Sequence, residues 1–168
     1  MLTTFLLLVA LQQSPEKLAL PGAKNVTRVD AAVMCAGATA PDAFPEIKKL
    51  GFASVINLRR DGEPDVDIAA ARSAASAHGL KYVHIPVDAS NPSTESVDDF
   101  LKAVGDPANQ PMYIHCGSAN RVAAMWLIKR VVVDGWDVSR ATDEATAIGL
   151  TSPTLKKFAL DYVASHKR

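Results

Sequence analysis

Residues 113–126 read YIHCGSANRVAAMW. The reading of this stretch decides the fold. PMYIHC (111–116) has the apolar, β-rich character of a buried strand. Gly117, Ser118, Ala119 and Asn120 are small and suited to a tight turn. From Asn120 to Val133 the apolar residues continue without a breaker, which predicts a helix over 120–133. A strand delivers Cys116 to its carboxyl end, and Arg121 follows in the first turn of the next helix. Loop N–H groups and a helix N-terminus make an anion-binding nest, a field that favours thiolate over thiol. The Arg121 guanidinium adds to that field and offers a planar fork to a tetrahedral oxyanion.

Outward from this unit the chain alternates. NVTRVD (25–30) and AAVMCAG (31–37) read as a hairpin. Phe44, Ile47 and Leu50 recur at helical spacing ahead of Gly51. FASVINLR (52–59) and KYVHIPVD (81–88) read as strands separated by a loop and an Ala-rich helix ending at Gly79. Ser93 or Thr94 caps a helix from about 95 to 105. Helices over 139–149 and 152–166 close the chain, the last opened by Ser152 as cap and Pro153 at its first position. The alternation predicts an α/β fold: a mainly parallel central sheet of about four to five strands flanked by helices. Ligands bind beyond the carboxyl ends of such strands. Three of these ends carry polar groups: Asn57 to Arg60, Asp88, and His115 with Cys116.

Bulk properties narrow the class. The 168 residues suit one domain, taken here as 21–168. Lys plus Arg and Asp plus Glu are both 18, so the formal charge is zero and nucleic acid is not the expected partner. Two cysteines, Cys35 and Cys116, make no disulfide framework; Cys35 reads as a small buried hydrophobe. The four histidines show no ligand spacing, so no metal and no cofactor is expected. The apolar run Phe5–Leu11 is too short to span a bilayer and has the length of a signal-peptide core. Residues 1 to about 20 are therefore set aside as an export signal or N-terminal extension, with a periplasmic location if cleaved and a cytoplasmic one otherwise. Oligomeric state is not legible.

YIHCGSANR resembles the signature loop of cysteine-dependent phosphatases, whose pattern is His-Cys, five residues, Arg. Here four residues separate Cys116 from Arg121, and Val122 stands where that family often has Ser or Thr. From about Val33 to Val133, with AGATAPDAFPEIKKLGFASVINLRRDGE, YVHIPV and HCGSANRVAAMW, the chain is similar to a bacterial phosphatase-like domain also found fused to metallo-β-lactamase-like hydrolases. Members of that domain family carry HC-x-S-x-NR with the same four-residue gap. The resemblance implies a cysteine-phosphatase-like fold, with Cys116 as nucleophile and Arg121 as anion clamp. Gly117, Ser118, Ala119 and Asn120 would form the anion-binding loop, Ser118 donating to the thiolate and Asn120 holding the loop shape. Asp88 is placed like the general acid of dual-specificity phosphatases, and His115 would support the thiolate through a hydrogen bond. Arg59, Arg60, Asp61 and Glu63 are read as solvated surface charge that could tune substrate choice.

Three functions follow. The first is a phosphatase acting on a phosphorylated small molecule or phosphoprotein through a phosphocysteine. The second rests on loop length, since six positions from Cys to Arg resemble the active loop of rhodanese-type sulfurtransferases. Cys116 would then carry a persulfide taken from a sulfane-sulfur donor. The third is a catalytically weak anion- or phosphate-binding module.

Overall fold

The computed structural model describes residues 14–166. A six-stranded sheet forms its centre: β1 (Glu16–Leu18), β2 (Val26–Arg28), β3 (Val33–Ala36), β4 (Ser54–Asn57), β5 (Lys81–His84) and β6 (Met112–His115), in the order β1-β2-β3-β6-β4-β5. β1, β2 and β3 form an antiparallel meander, and β3, β6, β4 and β5 are parallel. The hairpin and the parallel strands match the sequence reading. The strand beyond the expected four to five is β1. Its three residues lie in the segment set aside as a leader and are too few to show a period, while Leu20 just after them is buried. The apolar run Phe5–Leu11 lies outside the described residues. Among those described, no helix is long and apolar enough to cross a membrane.

Successive strand residues point to opposite faces, and both faces are covered. On one, Met34, Ala36, Val55 and Tyr113 pack with Phe44 and Ile47 of α1 (Phe44–Lys49) and Ala75 of α2 (Ile68–Ala77). On the other, Val33, Cys35, Ile56 and Ile114 pack with α3 (Thr94–Gly105), α4 (Asn120–Val132), α5 (Val138–Ile148) and α6 (Pro153–His166). The three caps that matter are side-chain oxygens: Asp67 accepts from Ala70 N, Ser93 from Ser96 N, and Ser152 from Leu155 N.

α4 is the pillar that carries the functional turn. Its residues from Arg121 to Ile128 are all buried, so it has no solvated stripe over that span. α5 and α6 cover the side that the sheet does not. Trp126, only 1% exposed, donates from Nε1 to Glu144 Oε2 at 2.9 Å, and Arg130 Nε reaches the same oxygen at 2.7 Å. A buried carboxylate from α5 thus receives three N–H groups from Trp126 and Arg130 of α4. Trp126→Ala is expected to cost about 3–5 kcal/mol through cavity formation alone. Urea unfolding should show a lower midpoint with an unchanged slope.

Candidate functional site

The parallel register brings the three polar strand ends to one edge. Asn57 lies opposite His84 in β5 and His115 in β6. Beyond His84 the chain stays extended beside the end of β4, with Ile85 N donating to Asn57 O and Val87 N to Leu58 O. Asp88 therefore arrives beside the loop that follows β4. Cys116 leaves β6 on the face covered by α4, with its N–H held by Ala36 O.

The turn after Cys116 is held from three sides. Gly117 O accepts from Ala38 N at 2.9 Å. Ser118 O accepts from Asn25 Nδ2 at 3.2 Å. Asn120 Oδ1 accepts from the backbone N–H groups of Thr151 and Ser152, each at 2.7 Å, and its Nδ2 donates to Ser118 Oγ. Asn120 thereby ties the turn to the α5–α6 connection. Ala119 sits in the left-handed region, φ 74°, as the residue before α4. Two glycines permit the approach of these segments: a Cβ on Gly37 would stand 3.0 Å from Lys24 O, and one on Gly149 would stand 2.6 Å from Asn25 Nδ2. The N–H groups of Gly117 and Ser118 donate to no backbone acceptor among the described residues, and those opening α4 have none by helix geometry.

Arg121 is where the structure departs furthest from the sequence reading. Its side chain is 9% exposed and pairs end-on with Glu63. Nη1 donates to Glu63 Oε1, and Nη2 to Oε2 at 2.9 Å. Nη1 also reaches Leu58 O at 3.2 Å and Val87 O at 3.0 Å. Glu63 accepts in addition from Arg59 Nε at 3.1 Å and from Arg60 N at 2.9 Å. Glu63 is not solvated surface charge. Its side chain is 18% exposed and meets the buried guanidinium. Nothing in the sequence pairs two residues 58 positions apart. The Arg121 bond, above all, pulls the Glu63 carboxyl down to about 2, with help from Arg60 N–H and Arg59 against the cost of burial. Burial works against the Arg121 charge, but Glu63 and the neighbouring Cys116 outweigh it and raise its pKa.

The other expected site residues divide. Asp88 is at the edge, with Oδ1 accepting from Ser90 Oγ at 2.6 Å and Ser90 N at 2.8 Å, and Oδ2 from Arg60 Nη1 at 2.6 Å. The Ser90 hydroxyl and N–H, and then the Arg60 charge, hold it below the usual carboxylate range. His115 is 3% exposed and lies beside Tyr113, on the α1–α2 side of the strand. Neither of its ring nitrogens has a side-chain hydrogen-bond partner among the described residues. Burial, and then the Arg59 charge, push its pKa down to about 3, which keeps the ring neutral. It borders a cavity of about 90 Å³ with Thr39, Asn57, Arg59 and Tyr82. Cys35 is buried and unoxidised on the α4 face, as read from sequence. Asn25 and Glu63 are the structural partners that sequence reasoning missed.

Residues 24–133 match the model of the family described as beta-lactamase hydrolase-like protein, phosphatase-like domain. The chain belongs to that family. It is 30% identical over 114 residues to the beta-lactamase hydrolase-like protein of Xylella fastidiosa, covering 64% of this chain and 24% of that protein. This chain thus spans about a quarter of the length of that relative. Among solved structures, a putative phosphatase from Shewanella putrefaciens superposes with a TM-score of 0.74 at 21% identity, over 88% of this chain and 96% of that one. TpbA of P. aeruginosa in complex with pTyr superposes with a TM-score of 0.68 at 17% identity, over 92% and 90%. At these identities the likeness establishes a fold shared with cysteine-based phosphatases.

Glu63 gives the site an acid signature. Its folded pKa lies below the ordinary 4.5. Its contribution to stability is therefore complete above about pH 5 and is lost as pH falls toward 2. Glu63→Gln should be less stable than wild type at pH 7, and the gap should close on acidification. Urea midpoints from pH 7 to pH 3 measure this, and a pH-independent gap would contradict it.

Proposed function

We propose that this domain is a cysteine-dependent phosphatase that works through a phosphocysteine on Cys116. One observation carries the reading. Glu63, Leu58 O and Val87 O take the far side of the Arg121 guanidinium. Its Nε–Nη2 edge, with the Cβ position of Gly117 3.2 Å from Nη2 and Cys116 beside the guanidinium, is the two-donor fork of this reading. That edge matches two oxygens of a phosphoryl group. The N–H groups of residues 117 and 118 and the start of α4 complete a cradle for the third.

The chemistry then runs in two steps. Cys116 sulfur forms a bond to phosphorus as the ester P–O bond breaks, and the electron pair leaves on the departing oxygen. Asp88 is the candidate acid of this reading, and its neighbour Val87 accepts from Arg121 through its carbonyl. Water then attacks phosphorus with Asp88 as base, the S–P bond breaks, and phosphate leaves. In both steps the Arg121 fork and the loop N–H groups meet charge on the equatorial oxygens. The substrate class is a phosphorylated small molecule or phosphoprotein.

The test is hydrolysis of an aryl phosphate, run beside sulfur transfer from thiosulfate to a thiol acceptor. Cys116→Ser should abolish phosphate release. Arg121→Lys should lower kcat/KM about tenfold or more, since an ammonium cannot present a planar fork. Asp88→Asn should lower phosphate turnover by about 10²-fold, the usual scale of general acid–base assistance. Sulfur transfer with sulfite leaving requires no proton delivery. Thiosulfate turnover that is insensitive to Asp88→Asn, with no ester hydrolysis, would instead assign a persulfide to Cys116.

A further inference from the structure

Behind the Cys116 turn stands a group that no step of the proposed reaction touches. Ser118 O accepts from Asn25 Nδ2, and the next residue, Ala119, has φ 74°. A left-handed step disfavours a residue that carries a Cβ. The torsion φ of Ala119 follows the plane of the Ser118–Ala119 peptide, so whatever holds Ser118 O also holds that step. Asn25 can hold it in one amide orientation alone. Turned over, the amide would set Oδ1 against Ser118 O, acceptor against acceptor. Lys17 of β1 fixes the orientation. Its Nζ donates to Asn25 Oδ1, to Thr27 Oγ1 at 2.8 Å and to Ile148 O at 3.0 Å. Nδ2 is left to Ser118 O, with Ile148 O at 3.4 Å. The ammonium is itself placed without Asn25. Thr27 is the cross-strand partner of Lys17 in β2, and Ile148 ends α5, where helix carbonyls are free to meet a cation. Lys17 and Ile148 both lie outside residues 24–133, the span that the family matches.

We propose that Lys17 is a positioning residue for the anion cradle. By fixing the Asn25 amide it holds the Ser118–Ala119 peptide, and with it the left-handed step at Ala119, in the form that receives an oxyanion. The inference rests on the cradle of the phosphatase reading and not on its covalent steps. Its effect is modest for two reasons. The Lys17 side chain is exposed along its stem, and the other two sides of the turn keep their bonds, Gly117 O to Ala38 N and Asn120 Oδ1 to the α5–α6 connection.

The experiment titrates the full chain with inorganic phosphate and follows the backbone amide and carbonyl NMR signals of residues 117–121. In Lys17→Met and in Asn25→Gly, phosphate should bind about three- to tenfold more weakly, the scale of one net hydrogen bond. The Ser118 carbonyl carbon and the Ala119 amide should also move before any phosphate is added. Glycine accepts the φ of 49° found at position 25, so Asn25→Gly removes the amide without new backbone strain. Two backgrounds separate positioning from plain attraction of charge. Adding Lys17→Met to Asn25→Gly should cost little more, because the relay is already cut. Ala119→Gly should lessen the cost of Lys17→Met, because glycine keeps a left-handed step unaided. An equal loss from Lys17→Met in all three backgrounds would mean attraction at a distance and would overturn the inference. So would unmoved Ser118 and Ala119 signals in folded Lys17→Met, or a lower urea midpoint with unchanged phosphate affinity. Wild type with no phosphate-dependent shift at 117–121 would overturn the cradle and this inference together. Lys17-dependent phosphate binding without Cys116-dependent ester hydrolysis would sustain this inference and overturn only the phosphatase reading.

Discussion

The pairing of Arg121 with Glu63 is the constraint on which the site depends. A guanidinium this far from water is tolerable only when its donors are satisfied and its charge is met. Glu63 supplies the charge, and the carbonyls of Leu58 and Val87 supply further acceptors. Those carbonyls belong to the ends of the two strand runs that flank β6 on one side. One residue from α4 thereby ties together the loop after β4, the run after β5 and the turn after β6. Its orientation is set by the fold and does not wait for a substrate.

Around this pair the charges form one connected chain. Glu63 holds Arg59 as well as Arg121, and the backbone of Arg60 closes on Glu63 while its side chain reaches Asp88. Arg121 and Asp88 are thus linked through a single loop. A movement of that loop would disturb both. On the opposite side, Asn25 and Asn120 do the equivalent work for the backbone of the turn after Cys116, using amide groups that carry no charge. The two supports differ in kind for a physical reason. Glu63 meets a buried cation, whereas the turn after Cys116 needs only its backbone held in place.

The sequence determined a good deal by itself. Alternating apolar segments gave the α/β layering and the parallel strands, because a period near two and a run of buried helix are local properties. The cap residues Ser93 and Ser152 are local too. The juxtaposition of Cys116 with Arg121 was legible because a strand, a short turn and a helix start fix their separation over six positions. The tertiary structure decided what each charged group does. Arg121 meets Glu63 across 58 residues, and Asp88 meets Arg60 across 28, separations over which no periodicity speaks. It decided the side of His115 as well: one step along a strand reverses the face, so the residue next to Cys116 in the chain lies across the sheet from it. Which ion pairs form, and which residues surround Cys116, depend on how the sheet brings distant loops to one edge, and that is a property of the folded whole.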